Sequence, residues 1–298
     1  MADRKRTEST GRDTDRLAIR RTYKLYLGGA FPRSESNRSY PVTSRSGAHL
    51  ANATRASRKD VRDAVVAARS AFSGWSTRSA YNRGQVLYRV AELMEGRRAQ
   101  FAEELVHARG LSRGRAESAV SASIDRWVYY AGWTDKIAQV LGSANPVSGA
   151  YGNVSRPEPC GVVGVLAPQE DSLLGLVSVL APVLAGGNTA VVLASERAPL
   201  PAVSLGEVLA TADVPAGTVN ILTGYVTELA PVLAGHQDLD GLDLCGAGPQ
   251  AGELAVAAAT TLTRTRAPIE SEDFTADPGL ARIRAFLEIK TVWQPLGT

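Results

Sequence analysis

The sequence predicts an α/β chain: a mostly parallel sheet with helices on both faces, preceded by an N-terminal helical segment and completed by a small β element. Three observations carry this. From Gly161 onward, short apolar runs alternate with helical patterns four times over, and parallel strands need such helical crossovers. Before that point, residues 58–140 repeat apolar positions at helical spacing with no strand-like run between them. The chain closes on a β-prone stretch containing Ile289, Thr291, Val292 and Trp293.

Taken in order, residues 22–42 alternate apolar and polar around Gly28-Gly29, as an antiparallel hairpin does. Residues 58–72 place Val61, Ala64, Val65 and Ala68 on one helical face. The stretch 80–108 repeats the pattern with Val86, Leu87, Val90, Leu93 and Met94, and Gly110 offers its stop. A third helix, rich in aromatics (Trp127, Tyr129, Tyr130, Trp133), is expected over 115–140. The sheet strands are then expected at 161–168, 188–194, 218–224 and 239–245, with helices ending near Leu184, Ala210, Leu233 and Thr263. After Arg266 the run APIESEDFTADPG is acidic and turn-rich and reads as a linker. A short helix and the closing strand follow.

Composition narrows the function classes. With 298 residues the chain can bury about three quarters of its extended surface, and 44% apolar against 21% charged residues is ordinary for a globular protein. A net charge of +3 gives no argument for nucleic acid. Basic residues do cluster at the start (Arg4, Lys5, Arg6, Arg12, Arg16, Arg20, Arg21), but Asp3, Glu8, Asp13 and Asp15 are interleaved, as in a solvated, disordered tail over 1–21. Two cysteines, Cys160 and Cys245, form no disulfide framework and suit a reducing cytoplasm. No secretory signal is visible, and the apolar run Leu173 to Leu184 is too short to span a bilayer.

One motif invites a chemical reading. Gly246, Gly248 and Gly252 follow a strand and open a helix, where a glycine-rich loop can cradle pyrophosphate. An ordinary strand-to-helix turn explains the same residues. His49, His107 and His236 lie in unrelated contexts and show neither triad nor metal-ligand spacing.

The segments YKLYLGGAF, DVRDAVVAARSAFSGWS, NRGQVLYRVAELMEGR, PEPCGVVGVLAP, LAGGNTAVVLAS and VPAGTVNILTG together resemble the N-terminal half of aldehyde dehydrogenases, over about Tyr23 to Thr263. AFLEIKTVWQPLG resembles that family's closing strand. The resemblance implies a Rossmann-like, NAD-binding-type domain over 22–139 and 161–265. It implies oligomerisation strands at 140–160 and 281–298, forming a β hairpin, with Val154, Ile289, Val292 and Trp293 on them. It also implies that 266–280 stands in place of the family's catalytic domain.

At the positions that carry the family's chemistry, the residues differ. Its Pro-Trp-Asn-Phe run reads Pro168-Gln169-Glu170-Asp171 here, so Glu170 replaces the asparagine that donates to the oxyanion. Its Lys-Pro-Ser-Glu reads Leu193-Ala194-Ser195-Glu196, without the ribose-binding lysine, and its phosphate-loop serine reads Ala247. Neither the Glu-Leu-Gly-Gly-Lys run nor the cysteine motif occurs. Since the family's chemistry starts with thiolate attack, the expectation is a pseudoenzyme with no catalytic residues, no metal and no required cofactor. It would be a subunit assembling with a full-length, active paralogue, or with itself, to scaffold or regulate it. The alternative is a nucleotide or small-ligand sensor using the remnant crevice, with NAD(P) as its candidate ligand. A residual dehydrogenase and a non-functional remnant complete the set. The helix after Gly252 either packs on the core or crosses a dimer two-fold.

Overall fold

A computed structural model describes residues 21–297. The basic tail read at 1–21 lies, apart from Arg21, outside the described residues. Elements follow in the order β1 (Thr22–Tyr23), β2 (Ser39–Thr43), β3 (His49–Thr54), α1 (Arg58–Ser76), α2 (Ala80–Gly96), α3 (Arg98–Arg109), α4 (Arg113–Trp133) and α5 (Ile137–Leu141). Then come β4 (Ser143–Ala144), β5 (Tyr151–Pro159), β6 (Val162–Leu166), α6 (Leu174–Ala185), β7 (Thr189–Leu193), α7 (Leu200–Leu209) and β8 (Val219–Leu222). The chain continues with α8 (Val226–Ala234), β9 (Gly241–Asp243), α9 (Ala251–Ala259), β10 (Arg264–Arg266), α10 (Ala281–Ala285) and β11 (Leu287–Pro295).

The central sheet has the order β10-β9-β6-β7-β8 and is parallel throughout. Its strands β6, β7, β8 and β9 are buried at every position, as expected where helices cover both faces. One face packs Leu176, Leu180 and Leu184 of α6 and Leu205 and Leu209 of α7, with α2 and α4 stacked outside them. The other face is covered by α1, α8 and α9 through Val61, Val65, Leu229, Leu233 and Leu254.

Local chemistry explains most boundaries. Ser57 and Asp60 form a capping box at the start of α1, each side chain accepting from the other's backbone N–H. At the far end of that helix Trp75 is fully buried, its indole N–H donating to the Leu184 carbonyl at 3.2 Å. Gly110 closes α3 in the left-handed region, φ 65°.

Several expectations change. The single helix read over 80–108 is two, broken where Gly96 ends α2 and Arg97 leaves helical geometry (φ −111°, ψ 14°). The helix read over 115–140 stops at Trp133, where the Thr134 hydroxyl donates back to the Ala131 carbonyl. The hairpin read over 22–42 is a short one around Gly28-Gly29: Leu27 and Ala30 exchange two hydrogen bonds and Leu25 N–H donates to the Pro32 carbonyl at 3.1 Å. Its strand-like residue Tyr26 pairs instead with Ile221 at the edge of β8. The segment 39–43 pairs antiparallel with β3. Alternation marked these residues as extended but carried no information on their partner.

The sheet also gains a fifth strand, β10, from Arg264-Thr265-Arg266, residues with no apolar signal. The expected oligomerisation hairpin is a three-stranded sheet, β11-β5-β4. Within it β5 and β11 pair over nine positions, from Leu287 opposite Pro159 to Pro295 opposite Tyr151.

The segment 267–280 is held closely. Arg282 is buried and donates to Asp243 Oδ2 at 2.8 Å and Glu272 Oε2 at 2.5 Å, while Arg266 lies 3.6 Å from Glu272 and 3.9 Å from Asp243. Burial pushes the Asp243 carboxyl up, against the pull of Arg282 and Arg266. Arg126, also buried, donates to the carbonyls of Phe274 and Ala276 at 2.5 and 3.1 Å. Removing one partner of a buried ion cluster leaves an uncompensated charge and costs about 3–5 kcal/mol. Arg282→Met is therefore expected to lower unfolding free energy by roughly that amount and to open 267–280 to protease. A loss close to zero in urea denaturation would show that the cluster does not hold the segment.

Candidate functional site

In an open parallel sheet, ligands sit at the carboxyl ends of the strands where strand order reverses. Here the chain runs β6, β7, β8 in one direction and returns to place β9 on the other side of β6, so the reversal lies between β6 and β9. The loops Ala167–Asp171 and Cys245–Gly248 meet there.

The two loops touch through backbone. Gly246 N–H donates to the Leu166 carbonyl at 2.8 Å, and a Cβ on Gly246 would stand 1.9 Å from the Ala167 oxygen. Gly246 therefore serves close packing, the ordinary-turn reading of the motif. Gly248 adopts positive φ (55°) and starts the one-turn 3₁₀ segment Gly248–Gln250 before α9. A Cβ on Gly252 would meet nothing within 4 Å. The cleft beside the loop, about 400 Å³, is lined by Glu170, Asp171, Glu272 and Asp273 together with Ile269 and Phe274. Glu272 is paired with Arg282 and Arg266, and Glu170 with Arg197 and Arg109; Asp171 and Asp273, with no ion pair among the described residues, oppose a pyrophosphate through like-charge repulsion.

Between β6 and β7 the loop ends are tied by Gln169. Its carboxamide donates to the Ala167 carbonyl at 3.0 Å and accepts from Glu196 N–H at 3.0 Å, while Ser195 Oγ donates to the Gln169 carbonyl at 2.9 Å. Glu196 in turn accepts from Val226 N–H at the start of α8. Glu170 points outward and bridges two guanidiniums, Arg197 at 2.9 Å and Arg109 at 3.6 Å. An ionised carboxylate accepts hydrogen bonds only, so Glu170 offers no donor to an oxyanion.

The cysteines sit apart. Cys160 precedes β6, and burial pushes its thiol up to about 12. Cys245 lies two residues beyond β9, with its sulfur 3.6 Å from Glu272 Oε2 and from Arg282 Nη2; burial, with Asp243 adding to it, also pushes this thiol up to about 12. The histidines are likewise dispersed: His107 faces Glu103 on α3, His49 faces Asn52, and His236 accepts from Asp238 N–H. Among the described residues no group of three or more His, Cys, Asp or Glu could hold a metal ion, and no helix is long and apolar enough to cross a membrane.

The four residues read as oligomerisation positions fall on two faces of the small sheet. Val154 and Val292 are direct cross-strand partners on one face. Ile289 and Trp293 lie on the other, where Trp293 meets Tyr151 edge-on at 6.1 Å. All four are exposed. The outer edge of β11 pairs with no strand among the described residues.

Sequence reasoning missed Asp243, Arg282 and Arg109. An aspartate inside the apolar run LDGLDLC was a usable signal for Asp243, because a buried charge requires a partner. Nothing local marked the arginines.

Comparison with known proteins agrees with this geometry. The family model described as "Aldehyde dehydrogenase family" matches residues 31–274. The chain is 34% identical over 248 residues to DhaS of Bacillus subtilis, covering 82% of this chain and 49% of that protein. It is also 34% identical over 263 residues to retinal dehydrogenase 2 of Homo sapiens, covering 86% and 50%. The NAD+ complex of an aldehyde dehydrogenase from Bacillus cereus superposes with a TM-score of 0.77 at 28% identity, over 82% of this chain and 50% of that one. The chain thus spans about half the length of the relatives it matches. With its parallel sheet, its strand-end loops and most of its length matched in this way, the chain belongs to the aldehyde dehydrogenase family.

Proposed function

We propose that this chain is a non-catalytic aldehyde dehydrogenase-like subunit that assembles with a full-length, active member of the family and scaffolds or regulates it. The observation that carries this reading is the closing strand β11. Its inner edge is fixed to β5 over nine positions and its outer edge pairs with no strand among the described residues. Exposed strand edges seek partners through backbone hydrogen bonds, and Ile289 and Trp293 add exposed apolar surface beside that edge.

The chemistry of the strand ends supports the same conclusion. Glu170 stands where an oxyanion donor is needed, and losing one such donor costs on the order of 10²–10³ in rate. The glycine loop faces carboxylates rather than cations. Both thiols are held protonated by burial, whereas the thiolate is the nucleophile.

Native mass spectrometry of the chain co-expressed with a full-length aldehyde dehydrogenase from the same genome is expected to show a defined mixed oligomer. Lys substitutions at Ile289 and Trp293 are expected to abolish it. A monomer that ignores every such paralogue rules the reading out.

Two further measurements bear on the absence of chemistry. A thiol held near 12 rather than its ordinary value near 9 carries about 10³-fold less thiolate at neutral pH. Iodoacetamide at pH 8 is therefore expected to label both cysteines at least about a hundredfold more slowly in the native chain than in denaturant, with the difference shrinking only as the pH rises towards 12. Calorimetry with NAD+ is expected to give no binding at millimolar concentration. Rapid labelling of either cysteine, or tight NAD+ binding, would return the chain to the enzymes.

A further inference from the structure

A second cavity, about 600 Å³, lies on the other side of the 169–171 and 195–197 loops from the glycine motif, between them, the end of α3 and the β2–β3 turn. Its charged lining residues are Arg45, Arg109, Arg197, Glu170 and Glu196. Three guanidiniums face two carboxylates. Of these, Glu196 already accepts from Val226 N–H at 3.0 Å, and Glu170 is shared between Arg197 and Arg109. Arg45 makes no ion pair among the described residues, and its side-chain stem lies against Gly110.

Tyr40 also lines this cavity. The residue is only 6% exposed, yet its hydroxyl makes no hydrogen bond. The Gly224 amide lies near the oxygen without reaching hydrogen-bond geometry. A buried hydroxyl without a partner is destabilising, and this one lies behind the wall of the cavity that the arginines line.

From these observations the geometry points to an anion site that takes a phosphate group, as free phosphate or as a small phosphomonoester, with Glu170 as its resident competitor. The carboxylate of Glu170 bridges Arg109 and Arg197 in the way an incoming oxyanion would. Its side chain is 74% exposed, and exposed ion pairs hold weakly, so displacement is cheap. Once it swings out, Arg109, Arg197 and Arg45 supply donors on several sides. That arrangement suits a tetrahedral anion better than a planar carboxylate, and arginine forks match phosphate oxygens in pairs. The site is independent of the subunit reading and uses neither the glycine loop nor the small sheet.

Isothermal titration at constant ionic strength tests the site, with inorganic phosphate, glycerol phosphate and AMP as probes. The wild-type chain is compared with Glu170→Gln, Arg109→Gln and the distant surface control Arg89→Gln. Glu170→Gln is expected to bind phosphate about two- to fivefold more tightly, the scale of one exposed ion pair. Arg109→Gln is expected to weaken binding about tenfold or more, the cost of a lost charged hydrogen bond. The control is expected to match wild type. AMP equal to phosphate assigns recognition to the phosphate group alone, whereas tighter AMP binding extends the site to a nucleoside. No binding by wild type and Glu170→Gln overturns the proposal. So does a Glu170→Gln variant no tighter than wild type, or a control that loses as much as Arg109→Gln.

Discussion

The bridge from Arg282 to Asp243 and Glu272 is the contact on which the rest of this architecture depends. Asp243 ends a central strand, Glu272 sits in the irregular segment, and Arg282 begins the short helix that leads into β11. One guanidinium thereby fixes the path from the parallel sheet to the closing strand. The anchoring continues past it: Arg264 Nη1 donates to the Leu287 carbonyl at 2.6 Å, and the Asn188 amide donates to the Phe286 carbonyl at 2.9 Å. Buried charges are weak evidence of stability in themselves. Here they join the sheet, the irregular segment and the short helix in one set of contacts.

The same cluster shapes the sheet's ligand-facing end. Carrying Glu272 and Asp273 towards the glycine loop makes that cleft acidic, while the arginines gather across the loops in the cavity beside Tyr40. Charge is thus sorted to opposite sides of the Gln169 tie. The fold is that of the family, and the three arginines lie away from the place where the strand order reverses.

The parallel sheet was legible because β6 and β7 are nearly continuous apolar runs and β8 and β9 are broken by one polar residue each, Asn220 and Asp243, and α1 because Val61, Ala64, Val65 and Ala68 recur at helical spacing. β10 was not, since Arg-Thr-Arg carries no hydrophobic signal and is a strand only through its neighbour β9. Tyr26 read correctly as extended but gave no clue that β8 was its partner. The glycine motif was visible, but its Cβ-forbidding contact with Ala167 needs the distance between two loops. The ion cluster joins residues from 243 to 282, and the anion cavity joins Tyr40 to Tyr225. Neither separation leaves a local pattern in the chain.

The Gly28-Gly29 turn has a consequence for valence. By laying Tyr26 against β8 it closes one side of the central sheet, and β10, three residues long with two arginines, offers little on the other. Pro41 interrupts the donor row of β2, and β4 is two residues long. Among the described strands, β11 alone presents a long open edge, so strand addition to them has a single place to act. A sheet with one open edge ends a row of strands rather than extending it in both directions.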